Sequence, residues 1–205
     1  MDELDLLKKD WKEKEKELPK LSYDEIYKMI WKKSSSYVKW IFIISIIELS
    51  LGIIGNLIAS PSAFSEIKLP FIIELFSWIS IPIILYFSYR FFKNYKNIST
   101  TSTIKGLLDD IIRARRTVKH YILFNLILGG VMSIIAIVYT SVEFSGGWSK
   151  FTSEAHFKEY AILIISAVLL TTLILGIIFG LYYLLYGILM KRLKRNYDEL
   201  KKIES

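Results

Sequence analysis

The chain has 205 residues, 53% hydrophobic and 23% charged, with a formal net charge of +7 and no cysteine. That length suits one domain, and the lack of cysteine excludes a disulfide framework and any thiolate metal site. The charges are concentrated between long stretches that hold almost none, which excludes an ordinary soluble globule and leaves a chain that lives in two solvents. In a soluble protein the positive surplus would suggest nucleic acid. Here anionic membrane lipids are the simpler partner, and no nucleic acid is expected.

Residues 1–36 form a Lys/Glu-rich cytoplasmic segment. It is not a short basic run before an apolar core, so the first apolar segment is expected to remain as a signal-anchor. Over Asp2–Glu17 the residues are mostly strong helix formers, with Leu4, Leu7, Trp11 and Leu18 on one stripe. This reads either as a solvated helix held by Lys/Glu pairs or as a docking helix. Pro19 ends it. Ser22-Tyr23-Asp24-Glu25 then forms a capping box, and Ile26, Met29 and Ile30 give the next helix an apolar side that leads through Ser34–Ser36 into the first span.

Four segments reach the ~20 apolar residues needed to cross ~30 Å of hydrocarbon. They lie at about 38–59, 70–92, 121–142 and 160–190, within a domain of 37–190. Only helices satisfy their own backbone groups in lipid. The fold class is therefore all-α: a four-helix transmembrane bundle with cytoplasmic amphipathic helices. Lys and Arg number 24 in the N-terminal segment, the middle loop and the tail, against 3 (Lys68, Lys150 and Lys158) in the two remaining loops. This alternation predicts cytoplasmic N- and C-termini.

Between the second and third spans, Ser99–Thr103 offers helix caps. Ile104, Leu107, Leu108, Ile111 and Ile112 then fall at helical spacing, followed by Arg113, Arg115, Arg116 and Lys119. The pattern predicts an amphipathic helix over about 102–119, lying on the membrane or against the bundle, with these basic residues at lipid headgroups. Residues 191–205 continue the fourth span as a helical tail. The two halves resemble each other. Val38-Lys39-Trp40-Ile41 parallels Val118-Lys119-His120-Tyr121, and Asn94-Tyr95 parallels Asn196-Tyr197. A duplication here would be parallel, since both halves start on the same side.

Polar residues inside the spans carry the functional expectations. Glu48 lies halfway along the first span. A charge there costs at least ~2.5 kcal/mol on insertion scales, so the carboxyl is expected to face the bundle and stay protonated. Pro82 removes a hydrogen bond to the Trp78 carbonyl in the second span and should kink it. That freed carbonyl is a candidate acceptor for Glu48, as are Ser77, Ser80 and Ser133. Asn125 is expected to make an interhelical contact near Tyr183 and Tyr186. Gly176 and Gly180 form a GxxxG on the fourth span, and Gly129 and Gly130 sit on the third. They predict close helix packing within the chain or a homo-oligomer.

The block LDLLKKDW followed by LSYDEIYKMIWKKSSSYVKWIFIISIIE resembles uncharacterised four-span membrane proteins of Flavobacterium-type bacteria. The resemblance is densest over Leu4–Glu48. It implies a bacterial cytoplasmic (inner) membrane and a multi-pass topology. Such proteins are sometimes labelled β-carotene 15,15′-monooxygenases, which hold iron with four His. This chain has two, His120 and His156, on opposite sides of the expected bilayer, so the residues do not support that label. No catalytic motif is present, and the adjacent Asp109 and Asp110 point different ways on a helix. No enzyme activity, cofactor or metal is expected. The reading favoured by sequence is a non-enzymatic scaffold or regulator presenting cytoplasmic helices to a protein partner. The alternative is a small oligomeric transporter or channel subunit that uses Glu48.

Overall fold

The computed structural model describes residues 22–58 and 71–204. The expected helix over Asp2–Glu17 and the loop after the first span fall outside them. The described residues form six α-helices: α1 (Tyr23–Ile58), α2 (Phe71–Thr100), α3 (Ile104–Phe144), α4 (Trp148–Glu154), α5 (Phe157–Tyr182) and α6 (Ile188–Glu204), with a π-helical turn, Tyr183–Gly187, joining the last two. The fold is an all-α bundle. Four of its helical runs are long and apolar enough to cross a membrane.

Local sequence sets the helix ends. The Ser22 N–H donates to Glu25 Oε2 at 2.8 Å and the Glu25 N–H donates to Ser22 Oγ at 3.3 Å, so both arms of the capping box form. The Ser22 N–H first, and then its side chain, hold the exposed Glu25 carboxyl below its ordinary range. Thr103 caps α3 by accepting from the Gly106 N–H at 3.2 Å. A Cβ at Gly106 would lie 2.9 Å from Thr103 Oγ1, so the cap needs glycine there. On the other side of the bundle, Gly146 and Gly147 take positive φ of 97° and 88°, a left-handed backbone that glycine adopts without strain. They end α3 and start the short helix α4.

Each amphipathic segment runs straight into its neighbouring apolar stretch. Helix α3 is unbroken over 41 residues, roughly 60 Å at ~1.5 Å per residue. The basic 104–119 segment therefore stands upright against the bundle instead of lying flat. Burial drives this: Leu107, Ile111, Ala114 and Val118 are wholly buried against the ends of the other helices. Arg113, Arg116 and Lys119 point outward as expected, but Arg115 is only half-exposed and its Nε is buried.

The hairpin α1–α2 packs side by side with the hairpin α3–α5, α2 lies along α3, and α6 returns against α1 and α3. The two hairpins use equivalent contacts. Phe91, Asn94 and Ile98 of α2 are buried at the same spacing as Leu193, Asn196 and Leu200 of α6. The Asn94 amide donates to Thr117 Oγ1 on α3 at 3.0 Å, and the Asn196 amide donates to Ser34 Oγ on α1 at 2.9 Å. The Trp31 indole N–H adds a bond of 2.8 Å to the Ile98 carbonyl.

The core sits toward the end of the bundle that carries most Lys and Arg, here the basic end. Ile30, Val38, Ile41, Phe91, Ile98 and Tyr121 all belong to it. Toward the other, neutral end, packing thins. Every residue of α1 from Ser50 to Ile54 is exposed. Helix α5 buries little beyond Ala167, Thr171 and Tyr182, packs on α3, and makes no more than marginal contact with α1. Among the described residues the bundle packs most closely toward its basic end.

Candidate functional site

The carboxyl of Glu48 lies beside the buried core. Tyr182 donates its hydroxyl to Glu48 Oε1 at 2.5 Å, and Tyr186 donates to Oε2 at 3.1 Å. The two phenols come from one helix, four residues apart, which places them one turn apart on one face. The π-helical turn Tyr183–Gly187 runs between and around them. Such wide turns recur at functional sites. Gly187 sits directly under the Tyr183 ring, where a Cβ would meet Cδ2 at 3.0 Å.

A third phenol completes the cluster. Tyr121 of α3 is 1% exposed. Its ring meets Tyr182 and Tyr186 edge-on, with centroids 6.0 Å away in each case. Phe87 and Phe91 of α2 close its other sides at 5.3 and 5.4 Å. The Tyr121 hydroxyl is buried beside Glu48 and Tyr182 and interacts with both. One carboxyl and three phenols are thus gathered from three helices.

This arrangement has two chemical states. A carboxylate accepts from both Tyr182 and Tyr186. A carboxylic acid keeps acceptor capacity and adds one O–H donor, which a neighbouring phenol oxygen can accept.

The sequence-derived candidates distribute unevenly around this centre. Glu48 faces the bundle, but its bonds go to tyrosines of α5 and the π-turn, not to the Trp78 carbonyl. Pro82 lies within an unbroken α2 and is exposed, and Trp78 is 67% exposed, so both sit on the outside of the bundle. The Asn125 amide donates to the Tyr121 carbonyl of its own helix at 2.9 Å and thereby holds no neighbouring helix. Gly129 and Gly130 pack as expected, against Ile178 at 3.7 Å and Leu175 at 3.4 Å of α5. Gly176 and Gly180 do not pack within the chain: a Cβ on either would meet nothing within 4 Å. Tyr121 and Tyr182 were not among the sequence candidates. The pairing of two tyrosines four residues apart on an apolar helix was the available signal. Among the described residues, no three His, Asp or Glu side chains converge to hold a metal ion.

The fold and the site define a class: an all-α bundle of four long apolar helices in which tyrosines hold the carboxyl of Glu48. More narrowly, the chain belongs to a family described as a domain of unknown function, DUF8845, whose model matches residues 24–205. No curated protein and no solved structure matches the chain.

Proposed function

We propose that the protein is a small oligomeric transporter or channel subunit, embedded in a membrane with its basic end in the cytoplasm, and that Glu48 is its working group. The observation that carries this reading is the placement of Glu48. A carboxyl in an apolar span is costly and by default marks an ion or proton pathway. This one is held by hydroxyl donors from the last helical run and lies against the buried aromatic cluster of the bundle. The distribution of Lys and Arg supports the cytoplasmic assignment, and the resemblance of Leu4–Glu48 supports a bacterial inner membrane.

The scaffold reading is less favoured. The apolar faces of α3 and α6 that would have recruited a partner are used inside the chain, with Leu107, Ile111, Leu193 and Leu200 all at 0% exposure. What those helices leave outside is a solvated, charged surface.

Reconstitution into sealed vesicles tests the proposal. Under an imposed pH gradient with potassium and valinomycin to clamp the potential, wild-type protein should dissipate the gradient. The variant Glu48→Gln, which keeps the shape and pairs with both phenols once one of them turns to accept from the amide N–H, cannot exchange a proton and should match protein-free vesicles. Equal proton flux from both proteins, or none from wild type, would overturn the assignment of Glu48.

A further inference from the structure

The last helical run is held unevenly along its length. Helix α6 is fixed on its neighbours: Leu193 and Leu200 are wholly buried, and the Asn196 amide is bonded to Ser34 of α1. Helix α5 is held lightly. Over its 26 residues only Ala167, Thr171 and Tyr182 are buried. Among the described residues it rests on α3, with no more than marginal contact with α1 or α2. Elements with few buried contacts are the ones that move. Between the two parts lies the π-helical turn Tyr183–Gly187, whose i→i+5 bonds interrupt the regular i→i+4 ladder. It ends on Gly187, a residue that weakens a helix by about 1 kcal/mol relative to alanine. The run is therefore weakest where its firmly and lightly packed parts meet.

Glu48 spans this joint. Its Oε1 accepts from Tyr182, the last residue of α5, and its Oε2 accepts from Tyr186, which is wholly buried within the turn. One carboxyl of α1 thus ties the lightly packed helix to the fixed end. The titratable groups that face it are Tyr182, Tyr186 and Tyr121 of α3, and α2 turns Phe87 and Phe91 toward the same cluster. A hydrogen bond to a carboxylate is roughly twice as strong as one to a neutral acid, so the tie loosens when Glu48 gains a proton. We propose that Tyr183–Gly187 is a hinge on which α5 swings relative to a fixed α6, and that the Glu48–Tyr182 bond is its protonation-sensitive latch. This rests on the reading of Glu48 as the working group and supplies the movement that its proton exchange drives.

Pulsed electron-spin distance measurements on the full chain in lipid nanodiscs test this, since the chain has no cysteine of its own. Spin labels on Leu51→Cys of α1 and Ile164→Cys of α5 report the swing. Labels on Lys32→Cys of α1 and Lys194→Cys of α6 report the fixed end. All four positions are exposed. Ile164 lies roughly 28 Å along the helix from the hinge, so a tilt of about 10° displaces it by roughly 5 Å. The α1–α5 distance should shift or broaden by about that amount in Tyr182→Phe, which keeps the ring and loses the donor, and in Glu48→Gln, which is neutral like the protonated acid. The α1–α6 distance should stay within about 2 Å in both variants. Unchanged α1–α5 distances would overturn the proposal. So would equal changes in both pairs, which mean that the bundle loosens as a whole. A change in Tyr182→Phe alone overturns the protonation-sensitive latch. Should the variants fail to give monodisperse samples, the labelled wild type decides: an α1–α5 distance that does not move on acidification down to the onset of unfolding overturns the latch. Glu48-dependent proton flux with α5 unmoved removes this inference and leaves the transporter reading intact. A moving α5 with Glu48-independent flux does the reverse.

Discussion

At the scale of single residues, the protein relies on polar groups satisfied across helix boundaries inside an apolar bundle. Glu48 uses both oxygens on phenols of the final helical run. Closer to the basic end, Asn196 and Ser34 tie the same two chain regions together, both almost fully buried. The two bonds lie about four turns apart along α1, so they fix both the register and the rotation of the last helical run against the first. Replacing Asn196 by alanine leaves Ser34 Oγ buried without its donor, at an expected cost of about 1–3 kcal/mol. The double variant Asn196→Ala with Ser34→Ala should cost less than the sum of its single changes, since no orphaned oxygen remains. Thermal unfolding in micelles followed by circular dichroism measures this. Strict additivity would mean that the bond contributes nothing.

At the scale of elements, the helices are longer than their apolar stretches because amphipathic and apolar segments share one face. Helix α3 passes from Leu107 through Val118 to Tyr121 without a change of side, so nothing in the backbone signals where one segment ends. Pro82 illustrates the converse. A proline in a helix interior removes a hydrogen bond and costs up to about 3 kcal/mol, yet α2 continues through it and its ring is exposed. Pro82→Ala should therefore raise the unfolding temperature and leave the Glu48-dependent proton flux unchanged. A loss of flux in Pro82→Ala would mean that the proline shapes the pathway after all. The special geometry near the site is instead the π-turn over Tyr183–Gly187, which the sequence marks only by a glycine beneath a tyrosine.

For the whole molecule, the asymmetry between the two ends is the main result. The basic end holds nearly all of the described core, and among the described residues α5 makes no more than marginal contact with α1. With no cysteine in the chain, orientation can be read by single substitutions. Ser102→Cys lies exposed at the basic end and Ser149→Cys exposed at the neutral end. In intact bacterial cells an impermeant maleimide should label Ser149→Cys and reach Ser102→Cys only after permeabilisation. Labelling of both from the same side would remove the membrane topology on which the transporter reading depends.

The sequence by itself determined the number of long apolar helices and the segregation of charge between them, and it drew attention to Glu48. Hydropathy, charge segregation and capping residues act locally along the chain, and each can be read without knowing what lies next to it. The recurrence of Asn94 and Asn196 was legible for the same reason. The tertiary structure alone decided which residues answer Glu48, that Pro82 and Gly176–Gly180 face outward, and that the described core gathers toward the basic end. Those outcomes depend on the rotation of each helix about its own axis. In apolar helices the rotation is poorly encoded, because nearly every face is hydrophobic and the period of polar residues that would reveal a buried side is missing.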